Sequence, residues 1–578
     1  MDKSRLHIVR VILYLGSIVI VGRLFYWQVI QSSALKAEAQ NQRTSTQTVS
    51  ASRGSIMSSD GFVLTSNQDY YLLYSYKPQL EQDLSSVSKI LAPLLLDEPK
   101  DATEAAKPES ERVAQLEADI FLKLSDSSKK WVPIKRNLDR KQKESIEALG
   151  ILGLGFDAYE RRSYPEASMS AHLLGFVGHD EQGNPQGYFG LEGQYNLELQ
   201  GREGKIVQET DATGKPILIG LFDQLLSRKG RNLELHLDRS IQYLAEKSLL
   251  DGLEKYGASS GEVLIMNPYT GGILAMASYP NYDPFDIGSY SPDWYKNPSI
   301  ANTYEPGSTF KVLVMAAGIE EGVITPETIC GDACAGPAHI GKYSIQTWNG
   351  EYDTSQSMTE VLANSDNTGM IFVAQKLGKD TFVDYVKKFG FGQLTGIDLQ
   401  EETGSSLRNT WGDIDVATTS FGQGIAVTGI QMLRAVASIA NGGNLVVPHV
   451  VSTVEANDER LTIEPKIERR VLSEDTAKKV TEMMIESAHH GESQWAVLKE
   501  YEVAGKTGTA QIPILGHYDE EKTIASFVGF APAHDPKFIM LVKLREPQSS
   551  PWASETAAPL WYRLAKDLLV YYNVPPKD

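Results

Sequence analysis

Three short stretches carry side chains whose types and spacing could do chemistry together: Ser308-Thr309-Phe310-Lys311, Ser365-Asp366-Asn367 and Lys506-Thr507-Gly508-Thr509. A serine hydroxyl is a weak nucleophile until a neighbouring base takes its proton. Ser308 follows Pro306-Gly307 and precedes the helical run TFKVLVMAAGIEEG, which puts it at or near a helix N-terminus. Lys311 then lies three residues on, on the same helix face and within reach of the hydroxyl. Held among apolar residues, that lysine would have its charged form disfavoured and could act as a neutral base. Ser365 offers a hydroxyl to relay a proton toward a leaving amine, and Asn367 an amide to hold a substrate carbonyl or the lysine. The third stretch reads as a strand, in which Gly508 weakens packing and asks for a reason; a close substrate backbone is one. An extended peptide adding to this strand would bring a terminal carboxylate to Lys506 and to the Thr507 and Thr509 hydroxyls. The backbone N–H groups of Ser308 and Thr509 would form an oxyanion hole.

No member of this set is informative alone. Ser-x-x-Lys also occurs at Ser33/Lys36, Ser86/Lys89 and Ser127/Lys130, and Ser308 by itself could be a helix N-cap. Ser365 and Asn367 could be local caps between two apolar helices. A histidine-dependent triad lacks support, because Ser308 is not in Gly-x-Ser-x-Gly and the ten histidines form no partner pattern. His489-His490 reads as a helix end.

The elements that must position these residues are legible around them. Leu233 onward, ELHLDRSIQYLAEKSLLDGLEKYG runs from a short strand into an amphipathic helix with Ile241, Leu244, Leu249, Leu250 and Leu253 toward a core. GEVLIM and GILAMAS flank NPYTG as a hairpin; AGKTGTAQI, TIASFVGFAP and KFIMLVKL add three strands much later. Five strands from the two ends of one module thus enclose a helical middle, and PLWYRLAKDLLVYYN closes it as a covering helix. Upstream, Gly-rich segments such as GYFGLEGQYNLELQGREG and the DATGKP turn at Asp211 predict short strands and turns. Residues 91–123, broken by Pro99 and Pro108, read as a mobile insertion followed by a helix. Cys330 and Cys334 are the only cysteines; their spacing leaves a local disulfide and two free thiols both open, and a metal site with Asp332 or His339 has only weak support.

A chain of 578 residues exceeds one core, and a net charge of −19 with no basic block argues against nucleic acid as a partner. Lys3, Arg5, His7 and Arg10 precede VILYLGSIVIVG, and Ile8 to Ile30 as a helix spans roughly 34 Å at about 1.5 Å per residue, enough to cross a bilayer. The basic start places residues 1–7 inside, and Tyr26 and Trp27 suit the outer interface. A cleaved signal peptide is the alternative, since Ala37-Glu38-Ala39 imitates a cleavage site.

With RGSI at Arg53, RSYP, GLEGQYN, LDRSIQYLAEK, GGILAMASYPNYDP, YEPGSTFK, SFGQGIAVTGIQ and AGKTGTAQ in order, the chain resembles the class B penicillin-binding proteins along nearly its whole length. The resemblance implies an α/β multidomain protein: anchor 8–30, an elongated mainly β pedestal over 31–228 and a penicillin-binding transpeptidase domain over 229–578. It further implies a membrane-bound, single-pass peptidoglycan D,D-transpeptidase with its catalytic domain outside the cytoplasmic membrane. Ser308 would be acylated by the penultimate D-Ala of a stem peptide, and β-lactams would acylate it as substrate mimics. The FGQGIAVT stretch looks more like the division branch than the elongation branch. No glycosyltransferase domain precedes the pedestal, so a polymerase and other division-complex proteins are the expected partners; no cofactor or metal is expected. A β-lactam sensor or β-lactamase-like hydrolase, and a scaffold with a vestigial site, are the competing functions.

Overall fold

The computed structural model describes residues 3–99, 107–211, 217, 222–456, 459–514 and 517–577. Helix α1 (Lys3–Phe25) runs on into a π-helical turn, Tyr26–Ile30. Among the described residues, Ser4–Ile30 is the one helical stretch long and apolar enough to cross a membrane, and its apolar side chains are left uncovered, Ile12 at 62% and Ile18 at 67% exposure. Water would penalise so much exposed hydrocarbon, whereas lipid would not. Arg23, the charge that interrupts the apolar run, lies 5.1 Å over the Trp27 ring.

Two compact units follow from the packing: Met1–Arg53 with Gln200–Gly230, and Gly54–Leu199 with Arg231–Asp578. In the first, Thr44–Val49, Gly204–Glu209 and Phe222–Leu225 pair into an antiparallel sheet. Of the expected DATGKP turn, residues 212–216 lie outside the described residues.

In the second unit, a sheet stitches the segment before residue 200 to the C-terminal region. Asn232–Leu235 pairs antiparallel with Val451–Ala456 and parallel with Ile56–Met57. The RGSI motif makes this junction: a Cβ on Gly54 would lie 1.8 Å from the Arg231 carbonyl oxygen, so only glycine permits the approach. Two further motifs meet in a buried ion pair, Arg162 Nε to Glu192 Oε1 at 2.6 Å, with side chains 3% and 0% exposed. Arg162→Ala would remove the cation paired with the buried Glu192 carboxylate, and a loss of about 3–5 kcal/mol is expected in equilibrium unfolding; an unchanged midpoint would contradict this.

Within 91–123 the helix expected to follow the insertion is present, Glu109–Ser125, and the stretch begins inside an earlier helix. Leu84–Leu94 is a helix that buries Val87 and Leu91 against Ile120 and Leu124 of a second helix, Glu109–Ser125. Residues 100–106 lie outside the described residues.

The C-terminal region holds helix α2 (Arg239–Tyr256) and strands β1 (Ser260–Met266), β2 (Ile273–Tyr279), β3 (Ala504–Ile514), β4 (His517–Ala531) and β5 (Phe538–Arg545). They form one antiparallel sheet in the order β2-β1-β5-β4-β3. Successive side chains alternate faces, so Val263 and Ile265 pack with α2 and helix α6 (Ala557–Tyr571), while Leu264 and Met266 join the helical middle. Both faces are covered, which is why these strands read as continuous apolar runs. The buried stripe of α2 is Ile241, Ala245, Leu249 and Leu253, at i, i+4 spacing. Leu250, expected in the core, is 49% exposed because it sits one residue off that stripe. Cys330 and Cys334 are joined as a disulfide, with Cα atoms 5.7 Å apart.

Candidate active site

The turn Gly307–Phe310 leads into helix α3 (Lys311–Glu320), with Gly307, Thr309 and Phe310 buried and Ser308 half-buried. The turn is fixed from both sides. The Thr309 hydroxyl donates to the Pro306 carbonyl at 2.7 Å, and the Gly307 N–H donates to the Gly422 carbonyl at 3.0 Å. Among the described residues the Ser308 hydroxyl has no hydrogen-bond partner. It is presented, not consumed.

Lys311 is fully buried. Its Nζ donates to the Ser365 carbonyl at 2.6 Å, to Asn367 Oδ1 at 2.8 Å and to Ser365 Oγ at 3.3 Å. Burial, and secondarily the positive charge of Lys506, push its pKa down to about 7, against the opposing pull of Glu492 and Asp366. An amine so placed is poised between base and acid at neutral pH.

Ser365 lies between helices α4 (Met358–Ala363) and α5 (Asn367–Leu377), with Asp366 capping α5 through the Thr368 N–H at 2.7 Å. Ser365 takes φ +57°, a left-handed conformation costly for a serine. That bend turns both its carbonyl and its hydroxyl to Lys311. Asn367 holds the lysine rather than standing open, since its Nδ2 also donates to the Gln346 carbonyl at 3.1 Å.

Strand β3 is an edge of the sheet, and Lys506 on it is 1% exposed. Its Nζ donates to Thr507 Oγ1 at 3.0 Å, and Thr507 donates to Glu492 Oε2 at 2.7 Å. Burial lowers the Lys506 pKa while Glu492 opposes the shift. The Thr507 proton is therefore committed to Glu492, whereas Thr509 Oγ1 accepts from the Ala553 N–H at 3.0 Å and keeps its own proton to give. The reason for Gly508 is the serine turn: an added Cβ would sit 2.7 Å from Thr309 Cγ2 and 2.8 Å from the Pro306 oxygen. A Cβ on Gly307 would meet the Thr509 carbonyl oxygen at 2.9 Å. Turn and strand touch, bringing the backbones of Ser308 and Thr509 side by side.

All the residues singled out above thus converge, and three contributors went unread as such. Glu492 and Gln346 lie in loops with no motif around them, so no spacing signal marks them. Gly422 sits within the SFGQG stretch at φ +81°, where a Cβ would lie 2.0 Å from the Gly307 carbonyl oxygen. Gly422→Ala must push the serine turn aside, and since a shift of about 1 Å costs about 10²-fold, labelling by a fluorescent penicillin is expected to slow by that order. Labelling at the unmodified rate would contradict it. Among the described residues, no histidine hydrogen-bonds to Ser308, Lys311, Ser365, Asn367 or Lys506; the polar contacts there are those of the two amines.

A free serine hydroxyl beside a buried amine of lowered pKa, a serine–asparagine pair gripping that amine, and a sheet edge alongside define a serine acyltransferase site of the Ser-x-x-Lys class. Residues 261–567 match the penicillin binding protein transpeptidase domain, and residues 48–235 the penicillin-binding protein dimerisation domain. Stage V sporulation protein D of Bacillus subtilis is 31% identical over 569 residues, covering 97% of this chain and 84% of that protein. The peptidoglycan D,D-transpeptidase FtsI homolog of Mesostigma viride is 28% identical, covering 99% and 96%. The crystal structure of penicillin binding protein 2X from Streptococcus thermophilus has the same fold, with a TM-score of 0.75 at 24% identity over 91% of this chain and 80% of that one. The chain belongs to the penicillin-binding protein transpeptidase family.

Proposed function

We propose that this chain is a peptidoglycan D,D-transpeptidase that crosslinks stem peptides through an acyl-enzyme on Ser308. The observation that carries the reading is Lys311: fully buried, of lowered pKa, gripped by Ser365 and Asn367, and three residues after a serine whose hydroxyl is unengaged. Neutral Lys311 takes the Ser308 proton as Oγ attacks the penultimate D-Ala carbonyl. The N–H groups of Ser308 and Thr509 hold the oxyanion, and Ser365 passes the proton to the departing D-Ala amine. An amine of a neighbouring stem then attacks the ester, forming the crosslink and freeing Ser308. Lys506 and the Thr509 hydroxyl attract the terminal carboxylate, with Thr507 and Gly508 shaping the strand edge beneath it. β-lactams acylate the same serine.

The domain reading goes with this: a pedestal over 31–228, a catalytic domain over 229–578, and residues 1–7 in the cytoplasm before a single crossing of the cytoplasmic membrane. The basic start and the uncovered apolar helix support that topology. A septal role, with a glycosyltransferase polymerase and other division proteins as partners, completes the reading. Incubation with a stem pentapeptide tests it: mass analysis should find an amide-linked dimer and released D-Ala. Shortened monomer alone would favour a hydrolase.

A further inference from the structure

The acylation chemistry leaves one charged group of the site without a task, Glu492. Its segment is built into place. A Cβ on Gly491 would run into the Ser487 carbonyl oxygen, in the last turn of helix Glu474–His490, and would lie 2.8 Å from the Ala363 carbonyl oxygen at the end of α4. Only glycine lets the chain pass there, and Ser493 on the other side is 1% exposed. The half-buried Glu492 is thereby carried to strand β3.

There its Oε2 accepts the Thr507 hydroxyl proton at 2.7 Å, which leaves Thr507 Oγ1 only lone pairs to offer, and Lys506 Nζ donates into them at 3.0 Å. The two bonds run in one direction, from ammonium to hydroxyl to carboxylate. Lys506 is 1% exposed, so burial disfavours its charged form, and Glu492 opposes that effect. Two buried amines thus share one site with opposite tasks. Lys311 must give up its proton near neutral pH to serve as base, whereas Lys506 must keep its own to hold a carboxylate.

The other charged groups around Glu492 do not share this role. Lys311 on α3 is gripped by Ser365 and Asn367. Asp366 caps α5, while Glu351, Asp353 and Glu555 line the open side, and His490 on its own segment pairs with Glu486. Among the described residues, Glu492 is the one carboxylate of this group hydrogen-bonded to Lys506 or Thr507.

We propose that Glu492 is the positioning residue of the carboxylate grip: acting through Thr507, it aims the Lys506 ammonium and keeps it charged beside a neutral Lys311. The inference rests on the transpeptidase reading, which gives Lys506 the terminal carboxylate of the donor peptide. A consequence for specificity follows. A donor ending in a carboxylate is preferred over the same peptide ending in an amide for as long as Lys506 stays protonated, and Glu492 sets the upper pH limit of that preference.

The test uses the full chain with Glu492→Gln, which keeps the reach and loses the charge, and Glu492→Asp, which keeps the charge. Acylation kcat/KM is measured from pH 6 to 10 for a stem pentapeptide and for its C-terminal amide, and the ratio of the two is followed. The ratio should fall at alkaline pH in the unmodified chain. In E492Q the fall should come about one pH unit lower or more, the scale expected for losing an opposite charge at close range, and E492D should stay near the unmodified position. A fall at the unmodified pH in E492Q overturns the proposal. An equal displacement in E492D overturns it as well, because shape and not charge is then the cause. Loss of the cooperative melt in E492Q does the same, since the side chain then serves folding. If the unmodified chain shows no preference for the carboxylate donor, the grip assigned to Lys506 falls, and the proposal with it, while the acyl-enzyme stands. If that chain is labelled by penicillin yet processes neither donor, it is the transpeptidase reading that falls.

Discussion

Ser308→Ala is expected to abolish covalent capture of fluorescent penicillin and to cut transpeptidation by on the order of 10⁶, the scale seen when a serine nucleophile is deleted. The fold should be untouched, since the Ser308 hydroxyl makes no hydrogen bond among the described residues and the turn is held by Thr309 and Gly422. Unchanged circular dichroism and an unchanged melting midpoint, together with lost labelling, separate chemistry from packing. Labelling of the variant at the unmodified rate would mean that another residue is the nucleophile.

Lys311→Ala is expected to slow acylation by about 10²–10⁴, the range for a positioned general base. The variant leaves the Ser365 carbonyl and the Asn367 amide without their partner, at about 1–3 kcal/mol, while relieving the burial of an amine. A cooperative melt should therefore survive. The unmodified protein carries the same claim in its pH profile. Burial holds the lysine near 7 instead of its ordinary 10.5, so the neutral, basic form grows as pH rises. Acylation should climb through about pH 7 and level off above it. Lys506 helps to depress that pKa, so Lys506→Gln should move the climb to higher pH, because the protonated amine loses a repelling neighbour. A profile flat from pH 5 to 9 would remove Lys311 from the role of base.

Much of this was legible in the chain because the physics was local. The five strands announce themselves as apolar runs since both sheet faces are covered, and Ser308 with Lys311 is legible since one helical turn fixes their spacing. What escaped is set by tertiary approach. Gly508 reads as room for substrate, but the space beside it is filled by Thr309 and Pro306, a contact some 200 positions away in sequence. The left-handed bend at Ser365 has no glycine to betray it, because the surrounding helices impose it. Glu492 gains meaning only when a loop after residue 490 folds against strand β3. In 91–123 the composition shows the second helix but not that it packs against the end of the helix before it, where Leu91 meets Ile120 and Leu124.

An acyl-enzyme on Ser308 can be seen by incubating the protein with benzylpenicillin and mapping the adduct by peptide mass spectrometry. One penicilloyl group per chain is expected, on the peptide that contains Ser308 and on that residue. An adduct on Ser365 or any other side chain, or no adduct on folded protein, would contradict it.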